Sequence, residues 1–204
     1  MWHRILLALV LGYALGSIPV GYLVGKAWGV DVRQIGSGRT GGTNVWRATK
    51  QVWPPALTVI GDILKGIAAV LLGRHLLGSE LAAALSGAAA VIGHNWSFLL
   101  GWRGGAGGVT AASTLVILSP LAGAIVVPLA VLVLYVSHFA SLGSLTAAVG
   151  GLLALTLLAV FAPVDHPMVH VLYGVLVTLS VVIALLPNLK RLAEGTERRI
   201  TLWK

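Results

Sequence analysis

Three short segments carry the residue types that grip phosphate. "IGSGRTGGTN", residues 35–44, sets Gly36, Gly38 and Gly41 around Ser37, Arg39, Thr43 and Asn44, with Arg47 just beyond. "GHNWSFLLGWRGGAGGVT", residues 93–110, joins His94, Asn95 and Arg103 to Gly104 and Gly105. "SHFASLGS", residues 137–144, holds Ser141. Glycine tolerates positive φ and lets its backbone N–H come close to a ligand. Successive N–H groups form an anion-binding nest, and arginine adds charge-assisted, often bidentate bonds. A single Gly-rich stretch also serves as a turn or a close-packing seam between membrane helices. Three of them on one side of a membrane point to a shared polar cavity for a phosphate-bearing ligand.

Other constellations are weaker. Gly36, Gly38 and Gly41 spell G-x-G-x-x-G, but no strand feeds that turn, so a dinucleotide-binding βαβ unit is not expected. Asp62 and Lys65 in "GDILKG" are spaced to share one helix face, either as a functional pair or as one that orients helices. His94 is either a site residue or an ordinary hydrogen-bonded histidine near a helix end. His3, His75, His166 and His170 show no metal-ligand spacing and receive no role. The chain has no cysteine, which excludes disulfides and thiolate chemistry. No G-x-S-x-G, H-E-x-x-H or H-x4-D pattern is present.

The elements that must position these residues are membrane helices. Of 204 residues, 57% are hydrophobic and 10% charged, against roughly 25% charged in soluble domains; mean hydropathy is +0.94. So few charges cannot cover a water-facing surface. Spans are expected near 4–26, 54–77, 80–98, 108–119, 121–137, 141–163 and 167–187, with a tight turn at Ser119–Pro120 and Pro128 inside the fifth. The first span lacks a following A-x-A site and reads as retained. The seven Trp and four Tyr residues read mainly as interfacial anchors.

The formal charge is +8. Nucleic-acid binding is a poor account of it, because the charges sit in short loops between apolar spans. Lys26, Arg33, Arg39, Arg47, Lys50, Arg103 and five tail residues (Lys190, Arg191, Arg198, Arg199, Lys204) place eleven of the 14 basic residues on one side. By the positive-inside rule, seven spans then put the N-terminus outside and the C-terminus in the cytoplasm. The expectation is an all-α integral membrane fold: one seven-transmembrane-helix domain over 1–204, in the inner membrane, with its site facing the cytoplasm.

The motifs, in their order, resemble the bacterial acyl-phosphate:glycerol-3-phosphate acyltransferase family. The similarity runs from "GSIPVGYLVGK" (16–26) through "DVRQIGSGRTGGTNVWR" (31–47), "GDILKG", residues 93–110 and "SLGS" (141–144) to "NLKRLAEGTERRI" (188–200). The resemblance implies transfer of a fatty acyl group from acyl phosphate to the 1-hydroxyl of glycerol 3-phosphate, giving lysophosphatidic acid and phosphate in phospholipid synthesis. It implies no metal or organic cofactor. Partners would be the two substrates and membrane lipid.

Carried over, Ser37, Arg47, His94 and Asn188 would be catalytic. Gly36, Gly38, Arg39, Gly41, Thr43, Asn44, Asn95, Arg103, Gly104, Gly105, Ser141 and Glu197 would bind substrate or its phosphate. The chain departs from the family pattern at Arg39 (Asn in the family), Gly42 (Ala), Ala106 (Lys) and Leu185 (His). Arg39 is expected to take over the phosphate contact of that missing lysine. The competing readings are a diverged homologue with another acceptor, and a non-enzymatic phospholipid- or phosphate-binding membrane protein.

Overall fold

Proline and glycine punctuate the chain into helices. The structure, a computed structural model, describes residues 2–200. Lys204, counted above among the tail cations, lies outside the described residues, among which there is no strand. Helix α1 (Trp2–Ser17) breaks at Ile18–Pro19 and resumes as α2 (Val20–Ala27). The break follows from proline's missing N–H and its clash with the helical conformation of the residue before it. After a loop come α3 (Gly42–Thr49), α4 (Trp53–Leu71, its last turn widening over Leu72–Leu76) and α5 (Glu80–Asn95). Then follow α6 (Gly108–Leu118), α7 (Pro120–Ser137), α8 (Ala140–Phe161) and α9 (Pro167–Ala193).

Among the described residues, six helical segments are long and apolar enough to cross a membrane: Trp2–Ala27, Trp53–Leu76, Glu80–Leu100, Pro120–Ser137, Ala140–Phe161 and Pro167–Ala193. The seventh expected span is α6, with 11 residues. At 1.5 Å per residue it rises only about 17 Å, short of a hydrocarbon core of about 30 Å. Its two ends nevertheless belong to different clusters. Gly108 and Val109 line a cavity with Ser37 and Arg47; Leu118 and Ser119 line a recess with Arg74, Glu80, Asp165 and His170. Pro120 opens α7, and Pro128 lies within that helix.

Helix α5 is the hub, packed against α1, α4, α6 and α9. Its alanines Ala82, Ala83, Ala84, Ala88, Ala89 and Ala90 are all buried, so neighbouring backbones approach closely. On α1, Gly12 and Gly16 face the α5 backbone so tightly that a Cβ on either would overlap the carbonyl of Ser86 or Ala90. This is a small-x3-small seam of the kind that substitutes for hydrophobic driving force within lipid. The loops expected to hold the chemistry therefore gather at one end, while Arg74 clamps Glu80 through two bonds (2.7 and 2.9 Å) at the other.

Candidate active site

The first loop folds around one amide. Asn44, 2% exposed, donates from Nδ2 to the carbonyls of Val32 (2.8 Å), Ile35 (3.0 Å) and Arg39 (2.9 Å). Its Oδ1 accepts from the Ser37 N–H at 3.0 Å. Gly36 and Gly38 hold positive φ (58° and 70°), which the tight path requires. Asp31 starts the loop, bonded to Arg33 at 2.7 Å. That guanidinium holds the Asp31 carboxyl well below the usual carboxylate range.

Three helix N-termini converge on a single cavity of about 110 Å³. They belong to α3 (lining residues Gly42 and Thr43), α6 (Gly108 and Val109) and α8 (Ala140 and Ser141). The first-turn amides of Gly42, Thr43, Gly108 and Val109 make no hydrogen bond among the described residues. Each N-terminus carries the equivalent of roughly half a positive charge, and unbonded amides there form a ready anion site. From sequence these segments are expected as loop nests; the structure instead runs them into the starts of α3, α6 and α8, and α3 itself is not expected from hydropathy.

Arg39, Arg47, Arg191 and Arg198 add their charge to the same walls. Burial pulls the Arg39 and Arg47 guanidinium pKa values below the ordinary arginine value, with the neighbouring Arg191 and Arg198 adding to it; guanidinium remains protonated regardless. Two carboxylates face these cations, and both are engaged. Asp62 pairs with Lys65 at 2.8 Å. Glu197 accepts from Asn188 (2.8 Å) and Arg191 (2.9 Å), with Ser141 at 3.4 Å. The cavity is cationic on balance.

The expected site residues divide. Ser37, Arg39, Gly41, Thr43, Asn44, Arg47, His94, Ser141, Asn188 and Glu197 line the cavity. Gly38, Asn95, Arg103 and Gly104 line a separate recess of about 460 Å³ with Trp96 and Trp102. Gly36 shapes the turn beside Asn44. Gly105 gives its N–H to the His94 carbonyl (2.8 Å) and lies so close to the imidazole that a Cβ would overlap it. Its glycine character is explained by that approach.

Arg39 separates the two hollows. Its Nη1 donates to the Gly105 carbonyl at 2.6 Å and its Nη2 to the carbonyl of Ala184. Ala106 and Leu185 line the same cavity as Arg39. Arg47 reaches the C-terminal tail, donating to the carbonyls of Arg198 (3.2 Å) and Arg199 (3.4 Å). The tail thus crosses the mouth as a strap, further held by the Ile200 N–H on the His138 carbonyl (2.8 Å). Arg191, Arg198 and Ser144 are lining residues that sequence reasoning did not single out. Of the tail, only Asn188 and Glu197 are expected at the site from the sequence; its basic residues enter there through sidedness alone.

One wall opens sideways. Thr43, Gly108, Val109, Ala140 and Ser144 line both the cavity and a groove of about 160 Å³ between α6, α7 and α8, whose remaining walls include Ala112, Val127, Val131 and Leu134.

The profile of the family described as glycerol-3-phosphate acyltransferase matches residues 6–195. The chain belongs to the glycerol-3-phosphate acyltransferase family. Family members named glycerol-3-phosphate acyltransferase include one from Symbiobacterium thermophilum, 41% identical over 191 residues, which span 94% of this chain and 92% of that one. Another, from Rubrobacter xylanophilus, is 40% identical, covering 95% and 94%. The Deinococcus radiodurans glycerol-3-phosphate acyltransferase 1 is 42% identical, covering 96% and 95%. Crystal structures of PlsY (YgiH), an integral membrane glycerol 3-phosphate acyltransferase, in its glycerol 3-phosphate and lysophosphatidic acid forms, match with TM-scores of 0.82 and 0.80. Each is 28% identical and covers 96% of this chain and 94% of that chain. The protein is thus an all-helical, multi-pass integral membrane member of that family.

Proposed function

We propose that the protein transfers a fatty acyl group from acyl phosphate to the 1-hydroxyl of glycerol 3-phosphate, yielding lysophosphatidic acid and inorganic phosphate. One observation carries the reading: a cationic cavity fed by three helix N-termini opens laterally into an apolar groove. That combination suits a substrate pair in which both members bear phosphate and one bears an acyl chain. The family and its solved relatives support it.

The acyl phosphate is already activated, so no covalent enzyme intermediate is required. The hydroxyl oxygen attacks the acyl carbon and the C–O bond to phosphate breaks. The hydroxyl proton leaves with the phosphate. The protein's task is to bring two mutually repelling anions together and to stabilise the developing oxyanion. The N-terminal amides, Arg47 and Arg39 offset the repulsion, and Ser37 supplies a hydroxyl beside them. Asn188, 8% exposed, keeps its Oδ1 buried without a partner at the cavity wall. A buried unpaired acceptor is costly; the substrate hydroxyl is the donor that would satisfy it.

The same reading takes α6 as a seventh, short crossing of a single domain, with the N-terminus outside and the cavity facing the cytoplasm of an inner membrane. The asymmetry of basic residues supports that orientation. The test is purified protein in lipid, given labelled glycerol 3-phosphate and palmitoyl phosphate. Phosphate release that needs both substrates and yields labelled lysophosphatidic acid is the expected result; binding of either substrate with no turnover refutes it.

A further inference from the structure

The family reaction leaves unexplained why a lysine is buried in mid-bundle behind the cavity. Lys65, on α4, is 6% exposed, and an ion at that depth is expensive unless every proton is placed. Its Nζ lies 2.8 Å from His94 Nδ1, 2.8 Å from Asp62 Oδ1 and 3.1 Å from the Ile18 carbonyl. An ammonium has three protons and no lone pair; here it hydrogen-bonds His94 and the Ile18 carbonyl and pairs by charge with the Asp62 carboxylate. Ile18 is available because Pro19 interrupts the helix there.

We infer that Lys65 is a positioning residue that fixes His94 as a hydrogen-bond donor toward the cavity. A proton donated to Nδ1 requires a lone pair on Nδ1. The neutral imidazole then carries its own proton on Nε2. Asp62 Oδ1 lies 3.4 Å from Nδ1, farther than Lys65, so the ammonium is the nearer partner. Nε2 makes no hydrogen bond among the described residues and lies beside Gly105, while the ring lines the cavity. The groups facing the ring are Lys65 and Asp62 from α4 and Arg39 from the first loop.

The consequence is chemical. In this tautomer His94 offers N–H to an anionic substrate oxygen and has no free base at the cavity. The hydroxyl proton must therefore go elsewhere, in keeping with its departure on phosphate. The inference rests on the proposed reaction only for the identity of that oxygen.

Two measurements test it. In 15N-histidine-labelled protein in nanodiscs, the nitrogen spectrum of His94 is expected to show a protonated Nε2 and a bare Nδ1, kept in Lys65→Arg and lost in Lys65→Met. A protonated Nδ1 in the unmodified protein overturns the assignment, whatever the variants do. In turnover, His94→Gln keeps a donor but no base, so its kcat should stay within about tenfold of the parent, while His94→Phe should fall about a hundredfold or more, as for loss of one oxyanion donor. Lys65→Met should lower kcat with little change in KM for glycerol 3-phosphate. Equal loss in His94→Gln and His94→Phe overturns the donor role. Absence of turnover in the unmodified protein would strike the proposed reaction, and the nitrogen spectrum would still decide the tautomer.

Discussion

Asn188 Nδ2 donates to Glu197 Oε1 at 2.8 Å, so a side chain that lines the cavity also latches the C-terminal strap. Glu197→Ala removes this bond and the one from Arg191 (2.9 Å). A hydrogen bond to a charged group contributes about 1.5–3 kcal/mol, and the strap then keeps the Arg47 bonds to the Arg198 and Arg199 carbonyls and the Ile200 N–H on the His138 carbonyl. Limited trypsin digestion should then cut at Arg198 and Arg199 faster than in the parent, and kcat/KM should fall at least about tenfold for each 1.4 kcal/mol lost at the mouth. Unchanged digestion would show that the strap is held by other means.

Arg39 spends two of its five donors on the Gly105 and Ala184 carbonyls. The remainder are free for phosphate. Arg39→Ala is expected to raise KM for glycerol 3-phosphate steeply, by at least about tenfold for a charge-assisted bond of 1.5–3 kcal/mol; steady-state kinetics at saturating acyl phosphate measures it. An unchanged KM rejects the view that Arg39 supplies the charge absent at Ala106.

The lateral groove is lined by small residues on α8 (Ala140, Gly143, Ser144 and Ala147) and by Ala130 among larger residues on α7. Ala130→Leu adds bulk to its wall. Competition between palmitoyl and lauroyl phosphate should shift toward the shorter donor by about tenfold, in line with the 1–3 kcal/mol that a methylene or two is worth in a fitted pocket. If the ratio does not move, the acyl chain lies elsewhere.

Gly16 on α1 has no room for a side chain against Ala90 of α5. Gly16→Val should destabilise the bundle by about 1–3 kcal/mol, the usual range for overpacking. Thermal unfolding in detergent should report a lower Tm, and α5, which carries His94 and Asn95, should lose activity with it.

Much of this architecture is legible in the chain. The apolar segments, the Ser119–Pro120 turn, the pairing of Asp62 with Lys65 and the gathering of three glycine segments follow from hydropathy, proline chemistry and helical spacing. Other features are not. Helix α3 is too short and too polar for hydropathy to find, and α6 falls below the length at which a crossing announces itself. Nothing in sequence spacing brings Lys65 to His94, because 29 residues separate them and the contact depends on how α4 packs on α5. Gly104 packs against the His94 and Asn95 carbonyls and Gly105 against the His94 ring, close approaches that spacing in the chain does not reveal. Asn44 lines the cavity, and its amide also ties the loop together through Val32, Ile35, Arg39 and Ser37, partners that the sequence does not reveal.

The interruption at Pro19 reaches further than the shape of one helix. Because it releases the Ile18 carbonyl to Lys65 and leaves the Ser17 carbonyl to Ser97 (2.6 Å), the amino-terminal segment is wired into the interior apparatus. It is more than a hydrophobic anchor. A chimera carrying an unrelated leader of equal length in place of residues 2–19 would insert into lipid yet forfeit the support beneath the imidazole.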